Sequence, residues 1–433
     1  MTGYQGNTLN FTERSSETTE KNTPSVLVLS QLFYPEVLAA GKIMTELCEK
    51  LVDMGMDVEV MCGPLTVLDR KTYVPKYTEH HGIRINRVLG TRFPQIKLSG
   101  RIINEISYSF SVFFKLIRDT SKRPVLVLTH PPFPAPTCAF LQKIGRGKLY
   151  IYLILDVYPD TAVKLGLIKE RGFIDRLWES VNIFTYKHAS SILVTGRCME
   201  EVIRKKVGAS LPDKIHTIHM WSDDNLIQPV PRADNPFIRK WSLEEKFVVL
   251  YSGNMGMYHD LETVMETARI LKGYKDIVFL FIGEGLKKPL MKEFARRHEL
   301  TNCEFLPYVE REDLKFSLSC AHVGLVSLDR GHEGLSVPGK TYSIMAAGVP
   351  VIAVMSPTAE IARIIHEEEC GIVVEPSHPE ELEKAILTLY NNHQKLGIMG
   401  KNARRAIDTK YNLESAAKVF YKMISDINSL QGK

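Results

Sequence analysis

The sequence predicts an α/β protein built from two doubly wound domains that face each other across a cleft. From residue 25 onward, short apolar runs rich in β-branched residues alternate with segments of helical periodicity. Strands that are apolar along their whole length indicate parallel sheets covered by helices on both faces. The alternation stops at a proline-rich stretch, 229–237, and then starts again. Two such series joined by a linker indicate two domains.

The expected elements follow this division. The first strand, 25–31, leads into a helix whose apolar positions recur every three or four residues. The polar segment 1–24 has no apolar stretch and is expected to be a disordered arm. We expect one domain over 25–228 and another over 229–410. Further strands are expected at 57–63, 124–130, 149–156 and 190–196, and in the second domain at 247–253, 277–285, 303–309, 323–329 and 350–356.

Composition excludes several classes of protein. The chain has 433 residues, of which 44% are hydrophobic and 24% charged, as in ordinary globular proteins. Seven cysteines without a C-x-x-C pair argue against a disulfide framework or a structural zinc site. No apolar run is long enough to cross a bilayer, and no signal peptide is evident. We therefore expect a cytoplasmic protein, and a net charge of +5 is too small to indicate a nucleic-acid partner.

One segment, 87–123, combines basic charge with aromatic and aliphatic side chains. Such a helical stretch can lie in the interface of an anionic membrane, here the inner face of the plasma membrane. The structural alternative, a helix packed on its own sheet with a solvated basic edge, fits the pattern equally well. Nucleic-acid binding is disfavoured because no known module accompanies the segment. Its basic residues are Arg87, Arg92, Lys97, Arg101, Lys115, Arg118, Lys122 and Arg123, against the acidic Glu105 and Asp119.

Glycine and polar residues follow the strands in both halves. Parallel sheets bind ligands beyond the carboxyl ends of their strands, and glycine turns that lead into helices offer N–H groups to phosphates. A single such turn or side chain more often has a structural role, but their joint placement indicates a bound nucleotide or sugar phosphate. These residues are Gly41, His130 and Asp156 in the first half, and Gly253, Asn254, Gly256, Glu284, Gly334, Leu335, Ser336 and Lys340 in the second.

The turn after the strand 247–253 is expected to lead directly into a helix at Gly256, and it lacks a cation. Asn254 stands where an arginine or lysine would neutralise a diphosphate, so the positive charge has to come from another loop. We expect it from Lys340, which follows Pro338 and Gly339 at the predicted start of a helix. There an ammonium is unfavourable beside the helix dipole unless an anion is bound. Lys287 and Lys288 are the competing cations.

The motifs taken together resemble the retaining family 4 glycosyltransferases of the GT-B fold, in particular bacterial members that build surface polysaccharides and lipid-linked oligosaccharides. The resemblance covers about 25–424 and implies two Rossmann-like domains, with a nucleotide-sugar donor bound mainly by the second domain and the acceptor mainly by the first. It also implies that the last helix, 411–430, returns to the first domain and that neither metal nor cofactor is required. It rests on "FYPE", "AAGK", "THPPFP", "DVYPD", "YSGNMG", "FIGEG", "GLSVPGK", "AAGVPVIA" and "AEIARIIHEEECGIVV".

The resemblance assigns roles to residues. Gly41 matches the glycine loop near the donor diphosphate, and His130 matches the histidine beside the transferred sugar. The family's Glu-x(7)-Glu pair is missing, because counting back from Gly348 places its positions on Ser343 and Leu335, with Glu333 two residues early. The expected catalytic residues are His130, Lys340 and Asp156. The expected donor-binding residues are Gly41, Gly253, Asn254, Gly256, Glu284, Glu333, Gly334, Leu335, Ser336 and Ser343.

The expected activity is transfer of a hexosyl or N-acetylhexosaminyl group, with retention, from a UDP-sugar to a glycan or polyprenyl-diphosphate-linked acceptor. A nucleotide-sugar 2-epimerase of the same fold would release its product without an acceptor. A pseudo-enzyme that serves as a scaffold at the membrane would bind no donor, and the missing glutamate pair is its best argument. A dehydrogenase is disfavoured because no G-x-G-x-x-G followed by an acidic residue is present.

Overall fold

The computed structural model describes residues 23–36, 40–66, 74–93, 98–208, 212–223 and 226–431. Most of the predicted arm, 1–22, lies outside these ranges. Two sheets organise the chain, one of eight strands and one of six. The predicted α/β fold class with two Rossmann-like domains is confirmed.

The first sheet has the strand order β3-β4-β2-β1-β5-β6-β7-β8 and is parallel except for the antiparallel pair β3–β4 at one edge. This pair and β8 were not predicted. The elements are β1 (Ser25–Leu29), α1 (Ala40–Asp53), β2 (Asp57–Cys62), β3 (Tyr77–His80), β4 (Ile83–Arg87), α2 (Leu98–Arg118), β5 (Val125–Leu128), α3 (Pro134–Lys143), β6 (Tyr150–Ile154), α4 (Asp160–Lys164), α5 (Phe173–His188), β7 (Ser191–Val194), α6 (Arg197–Val207) and β8 (Ile215–Thr217).

The second sheet is parallel throughout, in the order β11-β10-β9-β12-β13-β14. Its elements, together with the last helix, are α7 (Pro236–Lys240), β9 (Phe247–Ser252), α8 (Glu262–Ile270), β10 (Ile277–Ile282), α9 (Lys288–Arg297), β11 (Cys303–Leu306), α10 (Leu314–Ser319), β12 (Val323–Ser327), α11 (Lys340–Ala346), β13 (Val351–Val354), α12 (Glu360–Glu368), β14 (Gly371–Val374), α13 (Pro379–Tyr390), α14 (His393–Thr409) and α15 (Leu413–Gln431).

Each sheet is buried on both faces, as its continuous apolar strands require. One face of the first sheet packs against α2, α3, α5 and α6. The helix α15 lies against α1 and β1, and the Asn428 side chain donates to the Ser25 carbonyl at 3.0 Å. The core between these helices runs without a break into the second domain. No described helix is both long and apolar enough to cross a bilayer.

Candidate functional site

The two domains touch at the carboxyl edge of the first sheet. Asp156, just beyond β6, forms an isolated antiparallel bridge with Ser336 of the second domain. Beside it, the Val157 amide donates to the Leu335 carbonyl at 2.8 Å. This pairing brings a predicted catalytic residue against the predicted donor loop. The pairing also sets how the carboxyl edges of the two sheets face each other across the cleft.

Two glycine turns pack against each other in the second domain, after the neighbouring strands β9 and β10. Gly253 and Gly283 both have positive φ, 128° and 134°. A Cβ on Gly283 would lie 2.1 Å from the Gly253 carbonyl oxygen, so only glycine fits there. The Met255 amide donates to the Glu284 carbonyl at 2.8 Å and joins the turns. The glycines thus have a structural role in holding the two turns together at the strand ends.

Lys340 reaches the first of these turns. Its Nζ donates to the Tyr251 hydroxyl at 2.5 Å and to the Asn254 carbonyl at 3.2 Å. It also lies 3.8 Å from the centre of the Tyr251 ring. Within the described ranges, no carboxylate forms an ion pair with it. Burial lowers the pKa of Lys340 to about 7. The arrangement is a cation beside a glycine turn without a neutralising counter-ion.

The competing lysines are engaged within the protein. Lys288 Nζ donates to the Gly283 and Leu306 carbonyls at 2.7 and 2.9 Å and pairs with Glu284 at 2.7 Å. Lys287 Nζ donates to the His259 carbonyl at 2.7 Å and pairs with Glu262 at 2.9 Å. Both side chains are buried. They stabilise the loops on which they lie.

Three carboxylates gather near Lys287. Oxygen atoms of Asp260, Glu262 and Asp329 lie within 4.8 Å of one another, a spacing that a metal ion could use. Lys287 already pairs with Glu262 and lies 3.8 Å from Asp329. Asp260 accepts from the Thr263 amide and hydroxyl at 3.0 and 2.6 Å. The partners of these carboxylates are therefore the Lys287 ammonium and the hydrogen-bond donors of Thr263 at the start of α8.

His130 lies in the first domain beyond β5, within a row of aromatic rings. Its ring stacks on Tyr158 with centroids 5.5 Å apart, and Tyr158 stacks on Trp178 of α5 at 5.6 Å. His130 Nδ1 is buried and has no hydrogen-bond partner within the described part of the chain. Burial, helped by the charge of Asp156, raises the pKa of Tyr158 to about 12. His130 is thus held in place by ring stacking, and its Nδ1 atom is enclosed by the protein.

The donor loop of the second domain contains a histidine that the sequence analysis did not select. His332 is buried, and both of its ring nitrogens lack a partner among the described residues. Burial, aided by Lys164 of the first domain, lowers its pKa. Its neighbour Glu333 accepts from the Gly331 amide at 2.8 Å. The Leu335 amide is used within the loop, donating to the His332 carbonyl at 3.0 Å.

The remaining predicted site residues lie in several different parts of the structure. Gly256 was expected at a helix start, which is wrong, because α8 begins only at Glu262 and an irregular loop intervenes. Gly41 lies in the first turn of α1, where a Cβ would be 2.7 Å from the Glu36 carbonyl oxygen. Gly334 has φ +76°, and a Cβ there would lie 2.6 Å from the Cys198 carbonyl oxygen in the first domain. Ser343 lies half-buried on α11.

A second link between the domains centres on Glu360, at the start of α12. This side chain is 1% exposed and accepts from Arg197 Nε and His219 Nε2, each at 2.9 Å. The Arg197 amide also donates to it at 2.5 Å. Burial alone would raise the pKa of Glu360, but the His219 hydrogen bond and the Arg197 charge outweigh it and lower the pKa. No motif in the sequence indicated this pairing.

Known proteins with similar sequences match most of the chain. The family described as glycosyl transferases group 1 matches residues 234–406. A probable glycosyltransferase, WbjE of Pseudomonas aeruginosa, is 30% identical over 299 residues, covering 68% of this chain and 74% of that protein. A putative colanic acid biosynthesis glycosyl transferase, WcaI of Escherichia coli K12, is 25% identical over 383 residues, covering 83% and 91%.

Solved structures share the fold at lower identity. Alr3699/HepE of Anabaena, in complex with UDP-glucose, has a TM-score of 0.69 at 13% identity, covering 93% of this chain and 100% of that chain. WaaG, a glycosyltransferase involved in lipopolysaccharide biosynthesis, has a TM-score of 0.67 at 15% identity, covering 92% and 99%. At identities this low, the structural similarity shows only a shared fold, that is, the same arrangement of two domains.

Proposed function

The chain belongs to the group 1 glycosyltransferases, and from that premise we propose that it transfers a hexosyl or N-acetylhexosaminyl group from a UDP-sugar. The acceptor is a hydroxyl of a glycan or of a polyprenyl-diphosphate-linked sugar. The anomeric configuration is retained. The observation that carries the proposal is the Lys340 ammonium, which has no carboxylate partner among the residues that the structure describes and lies beside the paired glycine turns.

The donor diphosphate fits this position on chemical grounds. Two adjacent phosphates need a cation as well as hydrogen-bond donors, and Lys340 is a cation without a carboxylate partner among the described residues. A diphosphate there also relieves the cost of holding the ammonium in a buried place, because an opposite charge restores its protonated form. The UDP-glucose complex of the structurally similar HepE supports the choice of a UDP-sugar.

The chemistry assigned to the site is a front-face substitution. The bond between the anomeric carbon and the diphosphate oxygen breaks, and the electron pair leaves with UDP. The acceptor oxygen attacks the same face, and its proton passes to the departing diphosphate. Lys340 stabilises the charge that develops on the leaving group. His130, which lies beyond β5 in the first domain, orients the sugar or stabilises positive charge on its ring.

Polysaccharide biosynthesis is the proposed pathway class. The name of WcaI refers to colanic acid biosynthesis, and that of WaaG to lipopolysaccharide biosynthesis. The Escherichia coli relative matches this chain over most of its length. We therefore assign the acceptor to a growing glycan, free or lipid-linked.

We also assign the protein to the cytoplasm, with peripheral attachment at the inner face of the plasma membrane through 87–123. The structure revises the charge that supports this attachment. Arg87 is buried and donates to the Tyr34 carbonyl at 2.7 Å, and Arg123 pairs with Glu59 at 2.7 Å. Lys97 lies outside the described residues. Arg101 pairs with Glu105 at 3.3 Å, so the charge left for lipid headgroups is mainly that of the exposed Arg118 and Lys122.

A panel of nucleotide sugars, assayed with and without glycan acceptors, tests the activity. We expect donor-dependent transfer with one UDP-sugar and slow hydrolysis without acceptor. Epimerised nucleotide sugar formed without acceptor would identify the epimerase instead. No binding of UDP by isothermal titration would identify a scaffold. Either result overturns the proposal.

A further inference from the structure

Three neighbouring helices of the first domain expose apolar side chains on their outer sides. On α2 the helical spacing aligns Ile103, Ile106, Phe110 and Phe114 along one exposed stripe. Phe110 is 63% exposed and Phe173, at the start of α5, is 81% exposed. The helix α3 packs against both α2 and α5. The exposed apolar side chains, named here the outer apolar face, are Ile102, Ile103, Ile106, Phe110, Phe114, Phe133, Phe140, Ile144, Phe173, Ile174 and Leu177.

This exposure is not a general property of helices on that sheet. The helix α6 covers the same sheet face and directs Glu201 and Lys205 to solvent. Monomeric soluble proteins rarely expose large contiguous apolar patches, and such patches usually mark an interaction site. The outer apolar face therefore needs a partner that supplies apolar surface.

The charges around the face indicate what that partner is. The exposed charged residues of α2 are Arg101 and Arg118, and those at the end of α3 are Lys143 and Arg146. Arg171 and Arg176, both exposed, flank the start of α5, and the exposed Glu170 lies 4.0 Å from Arg171. Apolar side chains flanked by basic ones match a bilayer interface that contains anionic lipid, because the rings enter the acyl boundary while the cations bind headgroups.

The face adjoins the catalytic cleft. Trp178 of α5 lies one residue after Leu177 and four after Ile174, and its ring is the outer member of the stack that leads through Tyr158 to His130. From the other side, Arg101 of α2 is near enough to influence the Tyr158 hydroxyl. An acceptor with a lipid anchor would thus present its headgroup close to His130.

We propose that the outer apolar face of α2, α3 and α5, and not the segment 87–123 alone, is the membrane-docking surface of this protein, and that it binds a bilayer containing anionic lipid. The assignment of the acceptor as lipid-linked rests on the proposed function. The expectation that this face binds vesicles does not rest on the proposed function.

Flotation of the full chain with vesicles tests the face. The probes are phosphatidylcholine vesicles with and without phosphatidylglycerol, at low and high salt. We expect binding to the anionic vesicles that weakens with salt. The double variants Phe140→Ser/Ile144→Ser and Phe173→Ser/Ile174→Ser, both outside 87–123, should each lower the partition coefficient about tenfold. The matched control Ile398→Ser/Val419→Ser removes exposed apolar side chains elsewhere and should bind as the wild type does.

Tryptophan quenching by brominated phospholipid gives a second measurement. The vesicles should quench the natural protein, and Trp178→Phe should remove most of the effect. Trp241→Phe, which changes the exposed tryptophan directly after α7, should leave the quenching unchanged. UDP binding, measured in parallel, should be the same in all variants, which separates this test from that of the transferase activity.

Three results overturn the proposal. They are no binding of the wild type to anionic vesicles at low salt, wild-type binding by both double variants, or a dimer in vesicle-free solution that the double variants convert to monomer. The last would make the face an interface between two copies of the chain.

Discussion

The ammonium of Lys340 lies 2.5 Å from the hydroxyl of Tyr251 and 3.8 Å above its ring, although the two residues are 89 positions apart. Tyr251 belongs to β9 and Lys340 opens α11. The negative face of the ring favours the cation, while burial opposes it and lowers the pKa of Lys340 to about 7. The cation is therefore only partly stabilised until an anion arrives.

Removal of this charge should weaken UDP binding. We expect Lys340→Ala to cost about 1.5–3 kcal/mol of UDP binding free energy, the range for a charge-assisted hydrogen bond. Uridine, which has no phosphate, should bind as before. Isothermal titration with both ligands measures the difference. If Lys340→Ala binds UDP normally while a Lys287→Ala/Lys288→Ala variant does not, the diphosphate charge comes from the other loop.

The affinity for UDP should depend on pH. Free Lys340 loses its proton near pH 7, whereas a bound diphosphate raises its pKa, so UDP binds with proton uptake above that pH. The dissociation constant should rise with pH, by at most about tenfold per unit. Titrations between about pH 7 and pH 9 measure the slope, and Lys340→Met should remove it. An equal slope in this variant would assign the proton to another group.

His130 should affect turnover more than donor binding. We expect His130→Ala to lower kcat by about 10²-fold, the scale of lost positioning or proton-transfer contacts, with little change in the dissociation constant of UDP. Steady-state kinetics and UDP titration give the two quantities. Thermal unfolding is the control, since the stack on Tyr158 also packs this residue. A loss of activity matched by a loss of stability would leave His130 with a packing role only.

Glu360 should stabilise the contact between the domains. Removal of one partner of a fully buried ion pair typically costs about 3–5 kcal/mol. The Arg197 and His219 side chains are 35% and 30% exposed, so Glu360→Ala should lower the free energy of unfolding by less, about 1–3 kcal/mol. Its pKa lies below the ordinary 4.5, so its contribution is present above that pH and is lost as the pH falls through the folded-state pKa.

Glu367, which pairs with the same arginine but is exposed, provides the matched control. Glu367→Ala should cost at most about 1 kcal/mol. Denaturant unfolding of both variants at neutral and acidic pH makes the comparison. Equal costs would mean that the Glu360 network does not stabilise the contact.

UDP binding should need no divalent ion. Lys340 supplies charge at the glycine turn, and two of the three clustered carboxylates, Glu262 and Asp329, already pair with Lys287. After exhaustive dialysis against a chelator, the dissociation constant of UDP should be unchanged on adding back magnesium or manganese. UDP binding that returns only with the metal would contradict this expectation. The candidate metal ligands would then be Asp260, Glu262 and Asp329.

Local patterns accounted for much of the fold. Continuous apolar strands and helical periodicity are properties of neighbouring residues, so they predicted the two parallel sheets and most of their strands. They missed β3, β4 and β8, which are short strands toward the edges of the first sheet and carry mixed polar and apolar residues. The helix expected directly after Gly256 was wrong because α8 begins only at Glu262, and in its first turn the Thr263 amide donates to the Asp260 carboxylate at 3.0 Å.

The sequence by itself determined the fold class and the loops that form the cleft, because both depend on the order of short segments along the chain. Only the tertiary structure decided which lysine faces the glycine turn, since Lys340 meets Tyr251 and Asn254 across long separations while Lys287 and Lys288 turn to their own loops. The tertiary structure also decided that exposed apolar side chains of α2, α3 and α5 together form the outer apolar face. Side-chain partners and exposure arise from the packing of distant segments, and no local pattern encodes them.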